Sequence, residues 1–268
     1  MTSHPLLSTA ELASASSAIV LDARDRNAYD AGHWPGAFHL DIKRWEGLAR
    51  TAEGGLQHAE FWAVQIGALG IDGSRPVVVH DDGRMTEAAR AWFILQWHGA
   101  DARVLDGGWA ALIGQLNFAP DRTPSLPNAV VFRRPDGYEP RVRLIQRDEL
   151  RERLDAGLQV LDARTRAERD GVDLRANARG GHLPGSKWVP HAEMLQADGT
   201  LKSAPELQSE MSAAGLDPAA PLVTHCDAGG RAALAALAAV VAGKTEVHAY
   251  YLSFSDWAAD ASCPITKP

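Results

Sequence analysis

The stretch Leu222-Val223-Thr224-His225-Cys226-Asp227-Ala228-Gly229-Gly230-Arg231 runs into the apolar segment from Ala232 to Val241. A short β-branched run ends in a cysteine, a glycine-containing loop follows, and an alanine-rich helix begins. That order places a nucleophile at the mouth of a parallel sheet. Successive backbone N–H groups of such a loop point inward as a nest, and the helix start adds unpaired donors and the positive end of its dipole. Both favour a thiolate at Cys226 and an anion bound beside it. The same connection also surrounds cysteines that are simply buried at a strand end, so this loop alone leaves both readings open.

Length and composition bound what surrounds the loop. A chain of 268 residues can bury one large core or two of ordinary size. A formal net charge of -7, with 23% charged residues, describes a mildly acidic protein with no chain-wide basic face for nucleic acid. The two cysteines, Cys226 and Cys263, provide neither a Cys-pair metal spacing nor a disulfide framework. Met1 to Glu11 lacks a basic segment followed by a long apolar one, and no later run is long enough to cross a bilayer. The expectation is a cytoplasmic monomer that binds no membrane, in a reducing compartment where Cys226 stays a thiol.

The first half opens with Ser8 or Thr9 as a helix cap before Glu11, then a short strand from Ile19 to Asp22. Arg24 to Asp30 reads as a turn of helix stopping at Gly32, and His33-Trp34-Pro35-Gly36-Ala37 as an ordered loop. Ala59 to Leu69 is expected to be helical, and Val77-Val78-Val79-His80 is the best strand of this half. Asp81 to Thr86 then forms a loop, Glu87 to Trp97 a helix, Arg103 to Leu105 a strand, and Gly107-Gly108-Trp109 the turn into another helix. From Ala119 to Tyr138 repeated prolines and the absence of a sustained period read as a linker, with Val130, Val131 and Phe132 apolar enough to dock.

The second half repeats the first. Val160-Leu161-Asp162-Ala163-Arg164 repeats Val20-Leu21-Asp22-Ala23-Arg24, and Gly181-His182-Leu183-Pro184-Gly185-Ser186 repeats Gly32-His33-Trp34-Pro35-Gly36-Ala37. The strand before His80-Asp81 corresponds to the strand before His225-Cys226, and Trp109 and Trp257 are expected at similar positions before a closing helix. The chain therefore reads as two copies of one α/β domain, 1–118 and 139–268, joined by a linker at 119–138. Each copy is expected to be a mostly parallel sheet flanked by helices on both faces.

This order of motifs resembles the rhodanese family of sulfurtransferases, and specifically the tandem members that include thiosulfate and 3-mercaptopyruvate sulfurtransferases. The resemblance covers nearly the whole chain and implies that the C-terminal copy is the active one. Asp81 stands where Cys226 does, and a carboxylate cannot carry a sulfane sulfur, which leaves the first copy a packing role. Gly83 and Arg84 remain weak candidates for an anion site there.

The resemblance implies a persulfide on Cys226, held by loop amides from Asp227 through Ala228, Gly229 and Gly230 to Arg231. A small anionic donor, thiosulfate or 3-mercaptopyruvate, loads the sulfur. Cyanide, a thiol or a reduced thioredoxin-like protein removes it, and neither a metal nor an organic cofactor is needed. Arg169 matches the arginine that mercaptopyruvate enzymes place after the Asp-x-Arg strand to bind the substrate carboxylate, with Arg175 as its partner. Arg179 is a weaker candidate, read otherwise as a solvated loop charge. Asp162 and Arg164 are expected as a buried pair, and His182 as a loop-fixing hydrogen bond.

Cys226 to Arg231 is six residues, whereas phosphatases resembling this fold carry a loop one residue longer to house a tetrahedral phosphoryl group. Sulfur transfer is thereby favoured over phosphate hydrolysis. Asp227 replaces a cationic residue of thiosulfate enzymes and puts a negative charge beside the nucleophile, with Arg231 acting the other way. A rhodanese-like protein that binds sulfur or an anion with reduced activity therefore stays open beside the enzyme. Cys263, in Ala261-Ser262-Cys263-Pro264, is expected in a polar, mobile tail.

Overall fold

The computed structural model describes residues 4–154 and 156–267. The chain separates into two compact units, Met1–Pro140 with Ala197–Thr200, and Arg141–Gln196 with Leu201–Pro268. The first contains β1 (Leu6–Leu7), β2 (Ile19–Asp22), β3 (Phe38–His39), β4 (Val77–His80) and β5 (Ala102–Leu105), in the order β1-β5-β4-β2-β3. The second contains β6 (Val142–Leu144), β7 (Gln159–Asp162), β8 (Lys187–Trp188), β9 (Leu222–His225) and β10 (Val247–Ala249), in the order β6-β10-β9-β7-β8. These strand pairs are all parallel, and the helices between them make the crossovers that parallel pairing demands. The two orders are one topology used twice, with β4 and β9 as the central strands.

A central parallel strand is covered on both faces and so reads as a continuous apolar run rather than an alternating one. Every residue of Val77–His80 and of Leu222–His225 is buried. Behind β9, the helix Gly230–Val241 buries Ala232 through Ala239, whose small side chains let its backbone lie close to the sheet. The Thr224 hydroxyl fastens strand to helix by donating to the Ala232 carbonyl at 2.9 Å.

Each unit carries the same buried fork. Arg24 pairs with Asp22 at 2.6 Å and donates to the Gly32 carbonyl at 2.7 Å, while its guanidinium lies 4.0 Å over the Trp109 ring. Arg164 pairs with Asp162 at 2.6 Å and donates to the Gly181 carbonyl at 2.9 Å, and lies 4.0 Å over Phe254. The counterpart of Trp109 is therefore Phe254, not Trp257 as matching by residue type suggests. Backbone bonds agree: Trp109 N–H donates to the Asp81 carbonyl at 2.8 Å and Phe254 N–H to the Cys226 carbonyl at 3.0 Å. Trp257 lies inside the helix Ser253–Ala259 with its indole N–H on the Pro264 carbonyl at 2.8 Å.

Two further expectations are corrected. Cys263 is not in a mobile tail: it is 1% exposed and packs with Leu183, Phe254 and Trp257. Its segment is fastened by the Trp257 bond, by Arg179 on the Cys263 carbonyl and by the backbone ladder between His182 and Thr266. Within 119–138, Phe132 is buried, but Val131 is 71% exposed and does not dock. The path is fixed instead by backbone bonds from Asp121 to His33 and from Val130 to Gly67.

In the first unit the loop after β4 is closed on its own carboxylate. One Asp81 oxygen accepts from the N–H groups of Gly83 (2.9 Å) and Met85 (3.0 Å), the other from Glu87 and Ala88 (both 3.1 Å). The nest in which Gly83 and Arg84 are weak candidates for an external anion site is thus filled from within, and Arg84 points to solvent beside Asp82. Burial pushes the Asp81 carboxyl above the usual aspartate range, and the N–H donors pull it back. Asp81→Ala strands those donors and should cost about 2 kcal/mol of stability, partly recovered by molar formate or acetate entering the vacated nest. Asp81→Asn should not recover it, because an amide NH2 would face N–H donors. Thermal unfolding with and without the small carboxylates measures this, and an unchanged melting temperature in Asp81→Ala would refute it.

Candidate active site

Cys226 follows β9 directly and is 1% exposed. The Gly229 N–H donates to its Sγ at 3.1 Å, the contact by which the loop addresses the sulfur. Gly229 has φ 98°, and a Cβ there would come within 2.7 Å of the Tyr251 carbonyl and 2.9 Å of its ring. Only glycine fits both the left-handed backbone and the space. The Gly230–Val241 helix begins at the next residue, so its first turn of free N–H groups and its dipole end beside the sulfur.

Ser253, which the sequence reading passed over, closes the other side. Its hydroxyl oxygen accepts from the Cys226 N–H at 3.1 Å, donates to the Tyr250 carbonyl at 2.8 Å, and lies 3.7 Å from Sγ. It has φ 61° at the position where the first unit uses Gly108 with φ 57°. A non-glycine residue held there carries backbone strain. His225, just before the nucleophile, is fully buried with Nε2 3.6 Å from the Asp162 carboxylate. Burial drives its pKa down to about 4 despite that carboxylate, so the imidazole is neutral at pH 7.

The rim is charged, and its charges are paired. Arg231 is bidentate on Glu168, at 2.6 and 2.7 Å, so its cation is not free to act on the sulfur alone as the sequence suggested. Glu168 also completes a capping box, accepting from the Thr165 N–H at 2.9 Å and from its hydroxyl at 2.8 Å. That role was legible in the Thr-x-x-Glu spacing, whereas the bond to Arg231 joins residues far apart in the chain. Asp227 accepts from the Asn177 amide at 2.7 Å, and Ala228 and Gly230 complete the loop.

The predicted arginines divide by role. Arg169 is largely buried, its Nε has no hydrogen-bond partner among the described residues, and its Nη1 lies 3.7 Å from Asp170. Arg175 is 55% exposed in its side chain, has φ 53°, and lies 3.7 Å from Glu168. Arg179 is neither a ligand-binding group nor a solvated charge. It donates to the carbonyls of Trp257, Ala258, Asp260 and Cys263 and so clamps the C-terminal end of the Ser253–Ala259 helix. His182 Nδ1 lies 3.3 Å from the Arg169 carbonyl, holding the Gly-His loop against the segment that carries that arginine.

Burial opposes ionisation of Glu168, but the Arg231 fork and the Thr165 N–H outweigh it and bring its pKa from 4.5 down to about 2. A depressed folded-state pKa means stability that is complete above the unfolded value and fades as pH falls from about 4.5 toward about 2. Glu168→Gln should lower the melting temperature at neutral pH and flatten its fall across that acid window. Parallel wild-type and variant curves would show that the pair contributes nothing.

Comparison with known proteins identifies the family. The Rhodanese-like domain model matches residues 8–115 and again 146–260. The chain is 28% identical over 259 residues to the 3-mercaptopyruvate sulfurtransferase of Escherichia coli, covering 92% of this chain and 91% of that protein. To the thiosulfate/3-mercaptopyruvate sulfurtransferase 2 of Arabidopsis thaliana it is 29% identical over 259 residues, covering 88% and 75%. In fold it superposes on the anaerobic ergothioneine biosynthesis enzyme from Chlorobium limicola with a TM-score of 0.86 at 22% identity, covering 98% of this chain and 70% of the other. With most of its length matched in two successive copies, the chain belongs to the rhodanese-like family.

Proposed function

We propose that this chain is a rhodanese-type sulfurtransferase that carries sulfane sulfur as a persulfide on Cys226. The observation behind this reading is the asymmetry at the ends of the two central strands. After β4 the nest is filled by its own carboxylate, and after β9 a thiol stands there with the Gly229 N–H on its sulfur.

In the first half-reaction the Cys226 thiolate attacks the donor's outer sulfur. With 3-mercaptopyruvate the C–S bond breaks and its electron pair leaves on carbon as the enolate, which takes up a proton to give pyruvate. With thiosulfate the S–S bond breaks and sulfite leaves. In the second half an acceptor thiolate attacks the outer sulfur of the persulfide and Cys226 returns as a thiolate. Fixed N–H dipoles such as that of Gly229 stabilise the charge on sulfur in both halves without reorganising.

Of the two donors, 3-mercaptopyruvate fits better. Arg169 and Arg175 stand in loose pairs only, each 3.7 Å from a carboxylate oxygen, of Asp170 and Glu168 respectively, which leaves their guanidinium groups able to turn to a substrate carboxylate. Asp227 beside the nucleophile disfavours the dianion thiosulfate. Cys226→Ser should abolish sulfur transfer to cyanide, whereas Cys263→Ser should retain it. Intact mass after exposure to donor should show one added sulfur per chain. Sulfur mapped to Cys263, or a Cys226→Ser protein that keeps most of its rate, would overturn the assignment, and a wild type that takes up no sulfur would favour a binding protein of reduced activity.

Loss of one charge-assisted hydrogen bond to substrate corresponds to roughly ten- to hundredfold in kcat/KM. Arg169→Ala should lose about that much with 3-mercaptopyruvate while discharging its persulfide to a neutral thiol nearly as wild type. A wild type with higher kcat/KM for thiosulfate would overturn the donor preference.

A further inference from the structure

We propose that Asp227 selects for a sulfur acceptor bearing an ammonium group close to its thiol, an α-amino thiol of the cysteine type, over acceptors that carry only negative charge. This rests on the sulfurtransferase reading above.

The cations of the C-terminal unit nearest the Cys loop are largely committed. Arg164 is spent on Asp162, Arg179 on backbone carbonyls, and both forks of Arg231 on Glu168. Asp227 is the residue directly after the nucleophile, and its backbone is pinned by the Ser255 N–H on its carbonyl at 3.1 Å. One carboxylate oxygen takes the Asn177 amide at 2.7 Å, and the other has no hydrogen-bond partner among the described residues. The residue is half-buried, so that oxygen is oriented by a fixed neighbour yet remains within reach of a ligand.

The loop that holds Asp227 also holds its complement. Arg175 stands two residues before Asn177, with its backbone fixed by the Asp173 carboxylate on its N–H at 2.9 Å and its guanidinium half in solvent. The loop that fixes Asp227 through Asn177 therefore also carries a guanidinium that is exposed and held only loosely, 3.7 Å from Glu168. A free α-amino acid presents the matching ammonium and carboxylate on a single carbon. An acceptor with only negative charge would meet the Asp227 carboxylate while both forks of Arg231 are held by Glu168, a penalty that acts as discrimination.

The test is discharge of the loaded enzyme. The full chain is loaded on Cys226 with 3-mercaptopyruvate or thiosulfate and freed of donor. Single-turnover discharge to L-cysteine and to N-acetyl-L-cysteine is then followed by intact mass, in wild type and in Asp227→Asn. The acetyl group removes the ammonium charge, and the bulk it adds and the intrinsic reactivity of each thiol cancel when the ratio of the two rates is compared between enzymes. The ratio should fall about tenfold in Asp227→Asn and return in Asp227→Glu. A purely structural role would slow both acceptors alike, so an unchanged ratio overturns the inference.

Wild type alone gives a second measurement should the variant fail to load. Relative to their uncatalysed attack on a small-molecule persulfide, cysteamine should discharge the enzyme faster than 3-mercaptopropionate, and the reverse order overturns the inference. If neither donor places sulfur on Cys226 of the wild type, the sulfurtransferase reading falls and this one with it. If sulfur loads and neither comparison moves, only the acceptor preference falls.

Discussion

The buried fork between Asp162 and Arg164 is the constraint on which the active unit depends. It joins three parts of the chain that have no sequence proximity: the end of β7, the Gly181 carbonyl at the start of the Gly-His loop, and the Phe254 ring after β10. A buried ion pair is poor evidence for net stability, because desolvation of both charges offsets much of their attraction, but breaking one partner is costly. Its value here is positional. With Arg164 fixed, Phe254 is fixed over it, and the Phe254 N–H then holds the Cys226 carbonyl. The nucleophile's backbone is thereby set by a residue pair on a different strand. The same chain of contacts runs through Asp22, Arg24, Trp109 and Asp81 in the first unit, so both units hold the residue after the central strand by one route.

What the occupant does to the nest follows from its size and acceptor count. A carboxylate has enough acceptor positions to take four N–H groups at once, and Asp81 does so, which ties the loop into a closed structural element. A thiol sulfur is a single centre; the Gly229 N–H reaches it at 3.1 Å and the Ser253 hydroxyl lies 3.7 Å away. The cost of keeping Ser253 at φ 61°, where the first unit uses glycine, is borne in the unit that carries the thiol. The first unit carries a left-handed non-glycine residue of its own at Met85, φ 59°, where the active unit uses Gly229, so the two loops place their strain at different positions.

Much of this was legible in the sequence for a definite reason. The β-branched runs at Val77–Val79 and Leu222–Thr224, the paired Asp-x-Arg segments and the paired Gly-His loops are local signals, and a repeat multiplies the weight of each. The misreadings came from long-range contacts. Trp257 was matched to Trp109 because both are tryptophan, whereas stacking on the buried arginine makes Phe254 the equivalent. The tail around Cys263 reads as polar locally, with Ser262 and Lys267 nearby, and nothing local announces that Trp257 and Arg179 hold it. Arg179 itself sits in a glycine-bounded loop that looks solvated, and its four carbonyl partners lie on a segment some eighty residues later.

Glu168 shows how a residue with a local explanation can have a second role that sequence spacing hides. The capping box with Thr165 accounts for it fully as a helix start, yet the same carboxylate takes the guanidinium of Arg231 from the far end of the Cys loop. An arginine placed beside a nucleophile is ordinarily counted as a cation that draws anions in. Bidentate pairing with a buried carboxylate turns it into a neutral brace that sets where the loop ends and the helix begins. The attraction felt by an incoming sulfur compound then comes from whichever rim charges remain uncommitted. Among the described residues of the C-terminal unit the more loosely held ones are Arg175, 3.7 Å from Glu168, Arg169, 3.7 Å from Asp170, and the Asp227 carboxylate on the Asn177 amide. Pairing geometry, rather than a count of basic residues, thus decides which charges of the site an incoming compound meets.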